Sequence, residues 1–442
     1  MLKGEVVFMI KRIVISLVFL CIFYARYVSC GQIFFESKLR QKEKKVKQLE
    51  GYVKYEFYGD SYQVIGYQSD EDLQSPEKPR FDRNGRDINA RGQFMQNVIE
   101  SRFRFTFVTD EIKELDCKAT AVMEADFFGP ITNPELSGVC RLRHAYVLLE
   151  RKNISILAGH FWNPTTILDC YVNTISYDGG FPYEPSTRAP LVTCTIKHQH
   201  TQLILGAISQ LRFTSDGPDG FSNTYSRNGI LPDIHIQIKQ KVKPNTYGIG
   251  YDIKRLAPRL VTRDDVKTNE SIISHTIFAY YNFFHDHFIF SAKYAFCQNG
   301  TEYGVYGGYG VHSINPINDK RSYTNIASSN LWFDVELHLP KNITPGLFFG
   351  YAYNHGASQT VLQDIVGPDG ILIEQMVYGL DSRVQQSLRI QPRTRLTYGP
   401  LIFGLELEVT ATAFGRRDDF ARIHDAQWST NARVLGALFY LF

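Results

Sequence analysis

Charged side chains recur at every second position in the apolar segments of this 442-residue chain. Arg102 and Arg104, for example, alternate with Phe103, Phe105 and Phe107. The basic members of such alternating faces are Lys54, Arg102, Arg104, Lys118, Arg141, Arg143, Lys197, Lys239, Lys254, Lys293, Arg389, Arg393, Arg395 and Arg433. The acidic members are Glu56, Glu124, Asp126, Asp252, Asp334, Glu336, Glu406 and Glu408. Fourteen basic against eight acidic positions favour contact with anions, and arginine suits carboxylates because its planar guanidinium pairs with both oxygens.

Several of these charges cluster in sequence. One arginine pair lies in 102–104 and another in 141–143, a segment with both charge signs lies between them, and three more arginines follow one another from 389 to 395. The candidate pore-lining residues are Arg102, Arg104, Lys118, Glu124, Asp126, Arg141, Arg143, Arg389, Arg393 and Arg395. They can hand a weakly held anion from one arginine to the next, or pair with neighbouring acids and stiffen a wall. The sequence leaves both interpretations open.

The sequence offers little for catalysis or for metal binding. His198 and His200, like His285 and His287, have a spacing that can ligate a metal, but each pair lies at a predicted turn, where solvated histidines are common. A membrane phospholipase needs Ser, His and Asn together on one wall, whereas Ser209 and His275 fall on distant segments. The chain contains neither a phosphate-binding loop nor a dinucleotide fingerprint. We therefore predict no catalytic residues, no bound metal and no cofactor.

Strands with two different faces must position the alternating charges. Ile234, Ile236 and Ile238 alternate with His235 and Gln237, and this two-residue period continues from residue 51 to the end. A soluble sandwich also has such strands. Connection lengths favour a barrel, because long loops (59–97, 161–190, 214–230 and 257–270) alternate with short turns (110–114, 150–153, 199–201 and 243–245). The fold class predicted is all-β, a transmembrane antiparallel β-barrel with short periplasmic turns and long extracellular loops.

The strand count needs one reassignment. Seventeen segments qualify as strands, but a single-chain bacterial barrel has an even number. The alternation of long loops and short turns can be followed forward from the first strand and backward from the last. The two assignments conflict between 286 and 312. We therefore assign 302–312 to an extension of an outer loop, which leaves about sixteen strands.

The amino terminus resembles an export signal. Lys11 and Arg12 precede an apolar run from Ile13 to Tyr24 and a small-residue exit near Gly31, a run that is too short for a membrane anchor. We predict a signal peptide over 1–30, a short charged periplasmic segment over 31–50 that is either helical or, as the favoured alternative, an untethered linker, and the barrel over 51–442. A lipoprotein signal that ends at Cys30 is the less favoured alternative.

Net charge argues against nucleic acid as a partner. Residues 1–30 hold four basic residues and one acidic residue, and their +3 equals the +3 of the whole chain, so the remainder is neutral. A nucleic-acid binder carries a basic patch, and the predicted mature chain has no basic excess.

The last segment ends in an aromatic residue. Leu438, Tyr440 and Phe442 share one face of the final strand. A terminal Phe is similar to the signature that the barrel-assembly machinery of Gram-negative outer membranes reads. We therefore predict that this machinery binds the chain through Phe442, in addition to outer-membrane lipid as a partner.

Motifs near the amino terminus resemble those of the DcaP-like outer-membrane porins. The similar residues are Ala125-Asp126-Phe127-Phe128-Gly129, Arg141-Leu142-Arg143-His144-Ala145-Tyr146 and Leu157-Ala158-Gly159-His160-Phe161-Trp162, and the match is good over about 50–165. His160 stands where the family usually has Gln. The resemblance implies a sixteen-stranded homotrimer, an anion-preferring channel for small carboxylates. By analogy with porins, loop 161–190 folds inward and narrows the pore, with Trp162, Asp169, Asp178 and Arg188 as its candidate residues.

The sequence therefore predicts an outer-membrane porin that passes small anionic solutes by passive diffusion. The alternative is a non-conducting structural or adhesive barrel that binds ligands through its outer loops. A secreted soluble β-protein is a third interpretation, and it requires that the chain be soluble without detergent.

Overall fold

Sixteen long strands form one sheet in the computed structural model, which describes residues 46–65, 74–109, 111–129, 138–177, 179–211, 213–367 and 371–442. The first eight strands are β1 (Val46–Asp60), β2 (Arg102–Val108), β3 (Lys118–Asp126), β4 (Arg141–Arg151), β5 (Ile154–Trp162), β6 (Arg188–His198), β7 (Thr201–Ile208) and β8 (Asp233–Val242). The last eight are β9 (Asn245–Leu256), β10 (Ile272–His285), β11 (Phe288–Gln298), β12 (Arg321–Leu337), β13 (Ile343–Ala357), β14 (Val384–Tyr398), β15 (Leu401–Arg417) and β16 (Ile423–Leu441). The predicted signal peptide and the charged segment up to residue 45 lie outside the described residues. Because β1 begins at Val46, the last five residues of the predicted 31–50 segment belong to the sheet.

Each strand pairs antiparallel with the next, and the last strand pairs with the first. Tyr52 lies opposite Leu441, and Asp60 lies opposite Arg433. Beyond the strand end, Gly51 and Phe442 exchange two backbone hydrogen bonds of 3.0 and 3.1 Å. The sheet therefore closes without a free edge, as a membrane barrel must, because lipid cannot satisfy unpaired backbone groups.

The apolar face of the strands points outward. Along β8, Ile234, Ile236 and Ile238 are exposed, whereas His235 and Gln237 are buried. In a water-soluble protein the larger apolar side chains are usually the buried ones. This inverted pattern agrees with the predicted barrel, in which the apolar side chains form the outer face of the sheet and polar ones such as His235 and Gln237 point inward.

Short turns join the strands at one end of the barrel and long loops join them at the other. The segment 302–312 does not add a strand to the wall, because β11 pairs directly with β12. It forms a one-turn 3-10 helix (Thr301–Tyr303) and a strand (Gly308–Ile314) that pairs with the outer part of β12 and with Val377–Tyr378. The predicted count of sixteen strands and the assignment of 302–312 to an outer loop are confirmed.

The connections between the strands contain the remaining short elements. Short strands lie at Val64–Ile65, Ser75–Pro76, Gln93–Asn97, Ile365–Val366 and Leu372–Glu374. Short helices lie at Leu168–Cys170 and Thr224–Asn228, and a further 3-10 turn lies at Pro340–Asn342. Among the described residues, no helix is long and apolar enough to cross a bilayer.

Part of the lumen is filled by a packed cluster of wall and loop residues. Trp332 and Phe348 from the wall pack with Tyr183 and Tyr306 from two loops, and each is at most 1 % exposed. Gly350 admits Tyr183, because a Cβ at this position would lie 2.4 Å from the tyrosine ring. Wall and loop therefore form one packed body in this part of the lumen.

Candidate functional site

The loop between β5 and β6, residues 163–187, lies inside the barrel. On one side it is anchored to β11, where Lys293 Nζ donates to the carbonyl of Thr165 at 2.6 Å and to Glu184 Oε1 at 2.7 Å. The indole of Trp332 donates to the other oxygen of Glu184. These groups are buried, and each hydrogen bond to an ionised partner is stronger than a neutral one.

A second set of anchors holds the same loop against β1 and β15. Glu406 accepts hydrogen bonds from the backbone N–H groups of Ile175 (2.8 Å) and Ser176 (2.9 Å). Lys54 Nζ donates to the carbonyl of Ile175 at 2.8 Å, and Arg395 donates to the carbonyl of Asn173. The loop backbone thus satisfies its polar groups with charged side chains of the wall, which fixes its path across the lumen.

A third anchor lies on β8. Asp169 accepts hydrogen bonds from Lys239 and from Lys241, the latter at 2.6 Å. Burial acts to raise the pKa of the Asp169 carboxyl, but the two ammonium groups outweigh it and hold this pKa below its usual range. The loop is thus tied to the wall at points on opposite sides of the lumen.

A cavity of about 640 Å³ remains between this loop and the wall, where residues of β1 to β6 and of β14 to β16 line it. Its charged lining consists of Arg102, Arg104, Arg143, Arg188, Arg395, Glu100 and Glu124. Its aromatic lining includes Tyr52, Tyr146, Phe161, Trp162, Tyr171, Tyr177, Phe213 and Phe439. Five guanidinium groups against two carboxylates give the lining an excess of positive charge.

Three of these arginines share one carboxylate. Arg143 Nε donates to Glu124 Oε1 at 2.8 Å, and guanidinium nitrogens of Arg102 and Arg104 each lie 3.7 Å from Glu124. The Nε atoms of Arg102 and Arg104 are buried without a hydrogen-bond partner among the described residues. Arg102 also lies 4.0 Å from Glu100 and Arg104 lies 3.5 Å from Glu50, so this wall is a network of both charge signs.

A second group, behind the cavity, is closer to neutral. Arg141 makes two hydrogen bonds to Asp126, from Nε at 2.7 Å and from Nη2 at 2.5 Å, in the two-point geometry that arginine and carboxylate favour. Arg143 Nη1 donates to the same carboxylate at 2.9 Å. Asp126 is therefore committed to these two arginines.

Arg188 differs from the other arginines of the cavity. It is 3 % exposed, and no carboxylate lies within salt-bridge distance of it in the described part of the chain. Its guanidinium lies 4.7 Å from the Trp162 ring centroid, in a cation–π contact, and 3.4 Å from the hydroxyl of Tyr177. Because a buried charge without a counter-ion is costly, this position favours an added anion.

Tyr177 lies between two guanidinium groups. Arg141 Nη2 donates to its hydroxyl oxygen at 2.7 Å, and its ring stacks on Phe128 with centroids 4.3 Å apart. Burial acts to raise the pKa of the phenol, but Arg188, Arg141 and Arg143 outweigh it and lower this pKa to about 7.

Three solved structures resemble this barrel in fold. The outer membrane channel DcaP of Acinetobacter baumannii is 15 % identical, with a TM-score of 0.63 over 89 % of this chain and 96 % of its own. The anion-selective porin from Comamonas acidovorans is 9 % identical, with a TM-score of 0.53 over 89 % and 99 % of the two chains. Salmonella typhi OmpF in complex with daunomycin is 11 % identical, with a TM-score of 0.52 over 89 % and 97 %.

The fold is that of the outer-membrane porins. The resemblance to the DcaP-like channel, expected from the motifs at 125–162, is thereby confirmed at the level of the fold. No family model and no curated relative matches the chain.

The candidate pore-lining residues differ in their position relative to the cavity. Arg102, Arg104, Arg143, Glu124 and Arg395 line the cavity, whereas Arg141 and Asp126 lie directly behind it. Lys118 lies exposed at the short-turn end of β3.

Arg389 and Arg393 lie away from the cavity, on the packed side of the lumen. Arg393 makes two hydrogen bonds to Asp334, at 2.7 and 2.8 Å. Arg389 donates to Thr410 at 2.8 Å and to the carbonyl of Phe181 at 2.9 Å. Along β14, the stiffening interpretation therefore describes these two arginines, and Arg395 alone of the three reaches the cavity.

The candidate residues of the inward loop also differ in position. Trp162 and Arg188, at the two ends of the loop, lie in the cavity, whereas Asp169 is an anchor. Asp178 lies outside the described residues. Sequence reasoning missed Tyr177 and Glu100, because their roles depend on the folded path of the loop rather than on any alternation.

The described residues contain no group of three or more His, Cys, Asp or Glu side chains that can hold a metal. On the outer wall, Ser329 Oγ and His355 Nε2 lie 2.7 Å apart, a pair that the sequence did not single out. The other ring nitrogen of His355 has no hydrogen-bond partner among the described residues, so nothing orients the imidazole as a catalytic base requires.

Proposed function

We propose that this chain is an outer-membrane porin that passes small anionic, carboxylate-type solutes by passive diffusion through the arginine-lined cavity. The observation that carries the proposal is Arg188, a buried guanidinium that lacks a carboxylate partner within the described chain and faces a cavity of about 640 Å³. The porin fold supports a channel, and one of the structural neighbours is an anion-selective porin.

Electrostatics favour anions over cations at this position. The low-dielectric wall of a barrel focuses the field of the five arginines into the lumen, which raises the local concentration of anions. A solute carboxylate can replace the missing partner of Arg188 through two hydrogen bonds. Release stays fast because Arg102, Arg104 and Arg143 offer alternative partners nearby, and conduction needs binding that is weak at each site.

The cellular setting is part of the same proposal. A closed barrel with an apolar outer face fits the outer membrane, and residues 1–30 serve as the export signal. Phe442 ends the strand that closes the barrel, which suits a signal read by the assembly machinery. We also propose a homotrimer, for which cross-linking of the detergent-solubilised protein is the direct measurement.

The decisive experiment is single-channel recording of the refolded mature chain in a planar bilayer with a salt gradient. We expect discrete conductance steps and a reversal potential that favours anions. Arg188→Gln is expected to reduce the anion-to-cation permeability ratio severalfold. Arg83→Gln is the matched control, because Arg83 is exposed in an outer loop and its loss removes the same charge far from the cavity.

Three other outcomes contradict the proposal in different ways. A cation-selective channel overturns the solute class. An inserted barrel without conductance favours the structural or adhesive alternative. A chain that remains soluble without detergent and never inserts overturns the membrane assignment itself.

A further inference from the structure

Among the described residues, Arg188 has one side-chain oxygen within hydrogen-bond distance, which is the hydroxyl oxygen of Tyr177. Arg188 Nη2 lies 3.4 Å from this oxygen and Arg141 Nη2 lies 2.7 Å from it. Arg141 makes two hydrogen bonds to Asp126, whereas no carboxylate of the described residues lies within ion-pair distance of Arg188. The phenol oxygen therefore occupies the place of a counter-ion at Nη2 of Arg188, while Nη1 has no hydrogen-bond partner among the described residues.

The tyrosine ring is held in place. It stacks on Phe128, with the ring planes 16° apart, and the Arg141 guanidinium lies 5.4 Å from its centroid. Tyr177 belongs to the inward loop, whose preceding residues 175 and 176 are fixed by Glu406. The hydroxyl is thus aimed at the guanidinium groups by the fold.

We propose that Tyr177, as its phenolate, is a built-in counter-ion of Arg188 that competes with the carboxylate of the solute and so makes anion selection depend on pH. This inference rests on the proposed function and goes beyond it by naming a residue of the loop that sets the specificity of the cavity.

The charges around Tyr177 support ionisation near neutral pH. Among the described residues, the titratable groups that face it are Arg141 and Arg143 on β4, Arg188 on β6, Asp126 on β3 and Tyr171 on the same loop. Three of the five are guanidinium groups, and their combined effect lowers the pKa of Tyr177 to about 7 against the opposing effect of burial.

The direction of the pH effect follows from this arrangement. Below pH 7 the phenol is neutral, so Arg188 is available to a solute anion. Above pH 7 the phenolate neutralises Arg188, and anion binding then requires uptake of one proton from solvent onto the Tyr177 oxygen. Linkage makes the two effects reciprocal: the free energy by which the phenolate weakens anion binding equals the free energy by which a bound anion opposes ionisation of Tyr177. A bound anion must therefore raise the pKa of Tyr177.

Near-ultraviolet absorbance of tyrosinate tests the inference directly on the refolded full barrel. We expect one tyrosinate to form with a midpoint near pH 7 in the wild type and this step to be missing in Tyr177→Phe. Tyr247→Phe, which removes an exposed phenol from the outer wall, should retain the step. Acetate at ten times its dissociation constant, at fixed ionic strength, should raise the midpoint by about one pH unit if acetate and phenolate exclude each other.

Arg188→Gln is the second variant, and it serves if Tyr177→Phe does not fold. Loss of this guanidinium should move the tyrosinate step to higher pH and abolish the acetate shift. The inference is overturned if the wild type shows no step near neutral pH, or if the step is present but insensitive to acetate.

Bilayer recordings separate this inference from the proposed function. The anion-to-cation permeability ratio of the wild type should fall severalfold between pH 6 and pH 8, and that of Tyr177→Phe should not change. A selectivity independent of pH in the wild type counts against Tyr177 as a competitor. A barrel that shows the acetate-sensitive tyrosinate step but conducts no ions refutes the porin function. The anion site at Arg188 and Tyr177 would still be supported.

Discussion

Lys293 and Glu184 form a buried ion pair across the lumen, with 2.7 Å between Nζ and Oε1 and about 1 % exposure for each side chain. Lys293 belongs to the barrel wall and Glu184 to the inward loop, so this pair joins the two parts of the molecule. Burial raises the pKa of Glu184 above its usual range, while Lys293 and Trp332 act against that rise. Loss of either partner would leave the other one buried without a counter-ion, so this pair anchors the loop only as a pair.

Lys293→Met should destabilise the barrel by about 3–5 kcal/mol, because it leaves the Glu184 carboxylate buried without its counter-ion. Thermal unfolding in detergent, followed by circular dichroism, measures the loss. The double variant Lys293→Met/Glu184→Gln is the control, since it removes both charges and should recover most of the stability. A double variant as unstable as the single one argues against the ion pair as the anchor.

Glu406→Gln should loosen the section of the loop that forms one side of the cavity. The carboxylate accepts hydrogen bonds from the N–H groups of Ile175 and Ser176, and a glutamine offers one acceptor instead of two. The cost is about 1.5–3 kcal/mol for one hydrogen bond to a charged group. Single-channel conductance should fluctuate more than in the wild type, because residues 175 and 176 line the cavity and are no longer fixed to β15. Glu111→Gln, in an exposed turn, should conduct as the wild type does.

Acid should release the β8 anchor of the loop. The pKa of Asp169 is lowered in the folded barrel because Lys239 and Lys241 outweigh burial, so its contribution to stability is present above the ordinary aspartate pKa of about 4. This contribution is lost as the pH falls through the lowered folded pKa. Asp169→Asn should therefore show at neutral pH the loop opening that the wild type shows only in strong acid.

Cys170 provides the readout for loop opening. Its thiol is buried, and it donates to the carbonyls of Tyr281 and Ala292 at 3.4 Å. A pyridyl disulfide reagent, which reacts even in acid, should label Cys170 when the loop leaves the wall, and peptide mapping distinguishes it from the exposed Cys140. Equal labelling of wild type and Asp169→Asn at every pH contradicts the role of this anchor.

Ile238→Lys should destabilise the barrel in lipid by about 2–4 kcal/mol, the cost of a lysine near the middle of the lipid-facing wall. Ile238 is outward-facing on β8. Ile230→Lys makes the same chemical change in the adjoining outer loop, where Ile230 is 83 % exposed, and should cost almost nothing. Denaturant unfolding from lipid vesicles gives both values, and equal values for the two variants argue against β8 as a membrane strand.

Local patterns predict the wall of this barrel well. The alternation in Ile234, Ile236 and Ile238 reflects a sheet with lipid on one side and polar groups on the other, and each strand carries this information within its own sequence. Loop lengths were also sufficient to exclude 302–312 as a wall strand, because strand direction must alternate around a closed antiparallel sheet.

Local patterns do not predict which inward charges meet the solute. Arg143 and Arg393 look alike in sequence, since both are inward arginines near inward acids, yet one lines the cavity and the other is buried against Asp334. The difference arises from the path of loop 163–187, which is set by contacts far away in sequence. Inward glycines are the one signal of that path, because Gly350 and Gly404 leave room for Tyr183 and Ile175.

The exchange of hydrogen bonds between Gly51 and Phe442 makes the closing contacts of the cylinder its most non-local ones. All other neighbouring strands of the wall are also neighbours along the chain, whereas β1 and β16 lie far apart in sequence. Because a long-range pairing costs more loop-closure entropy than a local one, closure is expected to be a slow step of folding.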